Sequence, residues 1–240
     1  MWDDDPNPFV RFRRLTQAWH TAIGIGMSDD GFIALVRRLA PPFRATPLRW
    51  EPSPGVWVKD ETANVAGSHR ARHLTGLMIA LRVAEESDPE LARRPLATCG
   101  NAAIAAATVA HAARRALEVF VPADADGRLV DELEDLGAYV TPTDDDGFHK
   151  AVAAGALPFT CENGIEGGAT LGWEIVAQLG AAGVTLDRLV LPAGDDALAS
   201  ALLLAFDNAQ AVGLIDRVPR FDTIGEPPRD NESVAVLFTR

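Results

Sequence analysis

Apolar residues along this chain fall in short blocks whose spacing alternates between the helical and the extended period. Asn7-Pro8 opens a helical run with apolar residues at Phe9, Phe12 and Leu15. Met27-Ser28-Asp29-Asp30 caps a second run, Phe32 to Leu39, which Pro41-Pro42 ends. Val56-Trp57-Val58 reads as a buried strand. Helical spacing then covers Arg70 to Val83, Ala102 to Ala116, Arg128 to Leu136, Phe148 to Ala154, Leu171 to Leu179 and Ala197 to Ala211. Between these lie apolar stretches of strand type: Leu96 to Thr98, Leu117 to Val121, Ala138 to Thr141, Leu157 to Thr160 and Leu186 to Leu191. Gly225 to Asn231 is polar and rich in breakers, hence loop, and Val234 to Phe238 is the place for one last strand.

Strands alternating with helices at this spacing predict parallel βαβ units, and so an α/β fold of open sheets with helices on both faces. Composition fits a folded, soluble chain: 240 residues, 48% hydrophobic and 23% charged. The net charge of -12 disfavours nucleic acid and anionic membranes as partners. No apolar run has the length of a membrane span, and the start, Met1-Trp2-Asp3-Asp4-Asp5, lacks a signal-peptide pattern. Two cysteines, Cys99 and Cys161, do not make a disulfide framework, so a reduced, cytoplasmic setting is expected. Only two lysines occur, Lys59 and Lys150, and any imine chemistry would have to use one of them.

Three segments sit where a strand hands over to a helix, the place at which open α/β sheets bind ligands. They are Lys59 to Arg70 with Gly67-Ser68 at its helix start, Thr98-Cys99-Gly100-Asn101, and Leu191 to Ser200 with Gly194-Asp195-Asp196. Each alone is also an ordinary helix cap. In this order they resemble the fold-type-II pyridoxal-phosphate (PLP) enzymes of the threonine synthase, threonine dehydratase and cysteine synthase group. That family carries a Lys-x-Glu strand, a Gly-Ser-x-Lys helix start, a Ser-x-Gly-Asn loop and a glycine-rich phosphate loop. Asn163 to Glu174 resembles the family's return to its larger domain. The resemblance runs from about Asn7 to Phe221. It implies two lobes, residues 66–160 forming the smaller and residues 1–65 with 161–240 the larger, the latter shortened at its C-terminal side.

Carried over by position, the resemblance places the family's cofactor-binding lysine at Arg70. It places the asparagine that contacts the pyridine hydroxyl at Asn101, the helix-opening serine at Ser68, and the phosphate loop at Gly194 to Ala197. A guanidinium stays protonated and offers no nucleophilic amine. Asp195 and Asp196 put charge where glycines wrap a phosphate, and two like charges ~4 Å apart cost roughly 4 kcal/mol at an intermediate dielectric. The expectation from sequence is therefore that no cofactor is bound. The chain would be a PLP-independent descendant, a pseudoenzyme or binding partner, with a possible Arg70 ion pair to Asp195 or Asp196. Two alternatives stand beside it: a repurposed lyase-type enzyme on a small polar or amino-acid-like substrate, and a PLP-dependent lyase that keeps its cofactor. The candidate catalytic residues are Arg70, Asp195, Asp196 and Cys99, the last as a thiol activated at a helix start or else buried and inert. Ser68, His69, Gly100, Asn101 and Gly194 are the ligand-binding candidates. His69 and His73 have metal-ligand spacing without a third ligand, so no metal is assigned. A homodimer or a partner protein is expected to cover apolar surface.

Overall fold

The computed structural model describes residues 2–40, 43–53, 55–143, 146–192, 194–223 and 234–238. The helix stop expected at Pro41-Pro42 and the loop at Gly225 to Asn231 lie outside the described residues. The N-terminal region forms three helices: α1 (Pro8–Arg11), α2 (Gln17–Gly24) and α3 (Asp29–Leu39). Asn7, Thr16 and Ser28 each accept a backbone N–H in the first turn that follows; Asn7 and Ser28 open the two predicted runs, and the cap at Thr16 starts a further helix between them. The later helices are α4 (Arg70–Ser87), α5 (Ala103–Ala113), α6 (Gly127–Asp135), α7 (Gly147–Ala153), α8 (Ile165–Ala182) and α9 (Asp196–Ala211).

Among the described residues, nine strands form two sheets. Strands β1 (Leu48–Glu51), β2 (Val56–Asp60), β7 (Arg188–Leu191), β8 (Arg220–Thr223) and β9 (Val234–Phe238) build the first, in the order β1-β2-β9-β7-β8. Strands β3 (Leu96–Cys99), β4 (Leu117–Val121), β5 (Tyr139–Pro142) and β6 (Leu157–Pro158) build the second, in the order β5-β4-β3-β6. Every pairing is parallel except β1 with β2. The last strand of the chain thus lies in the middle of its sheet, flanked by β2 and β7. Neither β1 nor β8 is predicted from the sequence. Strand β1 is an edge, with Arg49, Trp50 and Glu51 exposed, so it lacks the apolar alternation that marks a half-buried strand.

Packing follows the alternation of side chains across the sheets. Leu96, Leu117, Val119 and Leu157 join the cluster formed with α4 and α5, while Ala97 and Phe120 pack with Phe148, Ala151 and Val152 of α7 on the opposite face. In the first sheet, Leu189 and Leu191 meet Leu171, Ile175, Leu198 and Leu202 from α8 and α9. Helix α8 starts six residues before the predicted Leu171, because Gly167 and Gly168 are packing positions and not breakers. A Cβ on Gly76 would run into the backbone of Gly167, one on Gly168 into the His73 ring, and one on Gly172 into Ala205. Helix α8 is therefore wedged between α4, which it meets backbone to backbone at Gly167, and the small alanine side chains of α9.

The core also holds a network of charges that the sequence reading misses. Lys59 (β2), Glu61, Arg72 (α4) and Glu174 (α8) are all buried. Arg72 clasps both carboxylates: Nε donates to Glu61 Oε2 at 2.8 Å, Nη1 to Glu174 Oε1 at 2.8 Å, and Nη2 to Glu61 Oε1 at 3.0 Å and Glu174 Oε2 at 3.1 Å. Lys59 Nζ donates to Glu174 Oε2 at 2.7 Å, Thr46 O at 2.8 Å and Gln178 Oε1 at 3.0 Å, which matches its three N–H groups. Burial pushes the Lys59 ammonium below its ordinary pKa, against the pull of Glu174. Burial acts to raise the Glu61 carboxyl, but the Arg72 charge and hydrogen bond outweigh it and bring it to about 2.

Two outcomes follow for stability. Gly76→Ala should cost about 1–3 kcal/mol by forcing α4 off α8, whereas Gly180→Ala, whose Cβ meets nothing within 4 Å, should gain about 0.5–1 kcal/mol of helix propensity. Urea denaturation of both variants checks this, and equal midpoints would remove the wedge. Glu174→Gln strips the carboxylate shared by Arg72 and Lys59, and should cost about 3–5 kcal/mol because it leaves buried charge uncompensated. A change under about 1 kcal/mol in the same assay would show the network to be solvated.

Candidate functional site

The start of α4 is shaped by local backbone requirements. Ala66 (φ 55°) and Gly67 (φ +65°) both take the left-handed conformation in the turn Val65–Gly67. The chain then enters the helix through Ser68, whose Oγ accepts the Arg70 N–H at 3.2 Å. Arg72 is held inside the buried network. Residues 70 and 72 stand roughly 200° apart around a helix, so Arg70 faces away from that network.

It faces Asp195, which immediately precedes α9. Arg70 Nη2 lies 3.2 Å from Asp195 Oδ2, and His69 Nε2 donates to the same oxygen at 2.9 Å. Asp195 Oδ1 accepts the Leu198 N–H at 3.1 Å, capping α9. The carboxylate thus collects three N–H donors. Its burial works to raise its pKa, but the hydrogen bond and charge of His69, the Leu198 N–H and the Arg70 charge outweigh that and bring it to about 2. The side chains are little exposed: 1% for His69, 13% for Asp195 and 22% for Arg70.

The ion pair anticipated from the sequence therefore forms with Asp195. Asp196 does not join it: it is exposed in the first turn of α9, where its charge suits the helix dipole. Gly194 is left-handed (φ +80°) with open space around its would-be Cβ. Cys99, Gly100 and Asn101 end β3 and are exposed, with Gly100 also left-handed at φ +70°. Cys99 precedes only a 3-10 turn, Gly100–Ala102, and burial followed by the nearby Glu162 charge raises its thiol. The side chain is exposed, and its thiol is shifted in the direction opposite to that of a thiol activated at a helix start. The Cys161 thiol is buried, and burial with Asp195 and Glu162 pushes it up to about 12 against the opposing pull of Arg70. That places the turn Cys161–Gly164 against the Arg70–Asp195 pair. A cavity of about 700 Å³ opens at the other end of α4, between Arg38, Arg82, Glu85, Glu86 and Arg114, and includes no residue of this cluster.

His73 lies one turn behind His69, its ring centroid 6.0 Å away. Its Nδ1 donates to Cys161 O at 3.2 Å, while Nε2 has no hydrogen-bond partner among the described residues. Burial lowers its pKa to about 4, helped by the charge of His69 and opposed by Asp195. Among the described residues no three His, Cys, Asp or Glu side chains gather as for a metal, and no helix is long and apolar enough to cross a membrane.

These residues fit an anionic ligand held by charge and hydrogen bonds, with Arg70, the α9 N-terminus and the exposed Gly100-Asn101 turn as donors. They do not fit a ligand joined covalently at residue 70. Lys59 is sealed in the core network, and Lys150 is exposed on α7, beyond the second sheet.

A family model described as pyridoxal-phosphate dependent enzyme matches residues 39–225. A search of the curated proteins returns no match. Among solved structures, the chain is similar to maize serine racemase (TM-score 0.61, 21% identity, 77% of this chain and 57% of that one). It is also similar to Escherichia coli diaminopropionate ammonia lyase in complex with an aminoacrylate-PLP azomethine reaction intermediate (0.59, 21%, 72% and 54%). A third is threonine deaminase isoform 2 from Solanum lycopersicum (0.57, 17%, 83% and 63%). The chain spans less than two thirds of each of these proteins, and likeness at such identities shows a shared fold. The expectation that no cofactor is bound is overturned by the family match, since PLP is the cofactor that defines the matched family. The repulsion argument behind it assumed two bare carboxylates. Asp195 is instead paired with the Arg70 cation and hydrogen-bonded by His69, and Asp196 is in solvent.

His73 makes stability depend on pH. Its folded pKa of about 4 lies below the ordinary histidine value of 6.5, so the unfolded chain binds the proton first on acidification. The contribution is complete above about pH 6.5 and is lost as pH falls toward about 4, up to about 3 kcal/mol. The groups facing it are His69, Asp195, Glu162 and the Cys161 carbonyl. His73→Gln should flatten the slope of unfolding free energy between pH 6.5 and 4 by close to one proton. An unchanged slope would show that the ring is protonated in the fold.

Proposed function

The chain belongs to the pyridoxal-phosphate dependent enzyme family, and on that premise we propose that it binds PLP, with a small amino-acid-like ligand, through charge and hydrogen bonds in place of a lysine link. The observation that carries this reading is the Arg70–Asp195 ion pair at the helix start where the family resemblance calls for lysine. The cofactor, when bound, supplies an electron sink for bonds at an amino-acid α-carbon. The rest falls to this chain's own residues. Arg70, a permanent cation, would hold a phosphate or carboxylate oxygen. Backbone N–H groups at the α9 start would share that anion. Asn101 and the open backbone of Gly100 would contact the ring edge.

A guanidinium cannot accept a proton near neutral pH, and the Asp195 carboxylate is engaged by three N–H donors. Arg70 and Asp195 thus orient charge, which favours a binding or partner role over turnover. The lyase reading would need an exposed base among these residues.

Adding PLP to purified protein tests this. Saturable binding that dialysis reverses, with no adduct after borohydride reduction by intact mass, is the expected result. Arg70→Ala should weaken PLP about ten- to a hundredfold, the worth of one charge-assisted hydrogen bond of about 1.5–3 kcal/mol. A stoichiometric reduced adduct on Lys59 or Lys150 would refute the non-covalent reading.

A further inference from the structure

We propose that Asp195 is a built-in competitor for the anion seat at the start of α9: its carboxylate engages the donors that an incoming phosphate would use, and phosphate binds by displacing it. The proposal rests on the binding reading above and adds a device that limits affinity.

Its basis is the convergence of donors from two separate elements on one side chain. Oδ2 takes His69 Nε2 at 2.9 Å and Arg70 Nη2 at 3.2 Å, both from the α4 start, and Oδ1 takes the Leu198 N–H of α9 at 3.1 Å. An oxyanion seated at this helix N-terminus would call on the same N–H groups. His69 is almost wholly buried and turned toward this point, so the seat is formed before any ligand arrives. The carboxylate has somewhere to go. It follows Gly194, a left-handed glycine with nothing within 4 Å of its would-be Cβ, and the Asp195 side chain is still 13% exposed. A hinge without a side chain next to a capping residue permits rotation of that residue out of the cap.

Three consequences follow. The protein should bind phosphate esters more weakly than its donors allow, because each binding event also breaks three hydrogen bonds to Asp195. The penalty should fall on the phosphate end alone, so a ring without phosphate should not sense it. Mild acid should not relieve it, because the Asp195 carboxyl is held near pKa 2.

The experiment measures equilibrium binding of PLP, pyridoxal and inorganic phosphate to the full chain and to Asp195→Asn and Asp195→Ser. Both substituted side chains can still cap α9, so folding is retained by two routes, and circular dichroism checks it. Expected is a gain of about tenfold or more in affinity for PLP and phosphate in both variants, which is about 1.4 kcal/mol, with pyridoxal unchanged. Arg70→Ala combined with Asp195→Asn should abolish the gain. Folded variants that bind PLP and phosphate no tighter than the parent chain overturn the competitor while leaving the binding reading intact. Failure of parent and variants alike to bind PLP or pyridoxal overturns both. An equal gain for pyridoxal overturns the assignment of Asp195 to the phosphate end.

Discussion

Two cations and two carboxylates meet in the dry core of this protein, and most of what lies above them depends on how they are held. Taking such groups out of water costs several kcal/mol per ion even after relaxation. The cost is offset here by the matching of donors to acceptors. Arg72 grips Glu61 and Glu174 bidentately, and Lys59 finds three acceptors for three N–H groups. Such a network tolerates little rotation of its members. Because Arg72 is on α4, Glu174 on α8 and Lys59 on β2, the network fixes the turn of α4 about its own axis relative to sheet and neighbouring helix. Residue 70 then has one direction left to face.

The glycines of α8 convert that local constraint into one that spans the site. Gly76 meets the backbone of Gly167, while Gly168 receives the His73 ring of α4 and Gly172 the Ala205 side chain of α9, so the helix packs closely on α4 on one side and α9 on the other. A shift of α4 is therefore passed to α9 with little room to absorb it, as in close-packed interiors. The starts of these two helices carry Arg70 and Asp195. Their meeting at 3.2 Å rests on this close packing and on the buried ion cluster.

Much of this was legible in the sequence. Alternating strand and helix blocks, and three strand-to-helix junctions in order, sufficed for the fold class and, through the resemblance, for an Arg70 ion pair with Asp195 or Asp196, of which the structure forms the first. The misses have physical reasons. Strand β1 is exposed along its length, and β8 is a short strand at the other edge, so neither shows a periodic apolar pattern. The start of α8 before Leu171 was missed because sequence does not reveal that Gly167 and Gly168 are packed closely against α4. Arg72 and Glu174 were visible in principle: each is a lone charge on an otherwise apolar helical face, beside Thr75 and Ile79 in one case and Trp173 and Ile175 in the other. A lone charge on a buried stripe signals a partner elsewhere in the chain, and Lys59-x-Glu61 supplied it. The charge of Asp195 was read correctly but its environment was not, since the hydrogen bond from His69 depends on tertiary placement.

What Arg70 does to this site follows from the difference between a guanidinium and an amine. An amine can be desolvated, lose its proton and form a bond, so a lysine at a helix start serves chemistry. A guanidinium keeps its charge in any surroundings and needs an anion beside it. Once residue 70 is arginine, the cheapest structure supplies that anion from within, and Asp195 at the neighbouring helix start is within reach. The carboxylate in turn needs more donors than one arginine gives, and His69 and the α9 N-terminus complete the set. Arg70, His69 and the Leu198 N–H thus share one carboxylate, and each of the three satisfies a need of its own: a counter-ion for the guanidinium, an acceptor for the imidazole and a cap for α9.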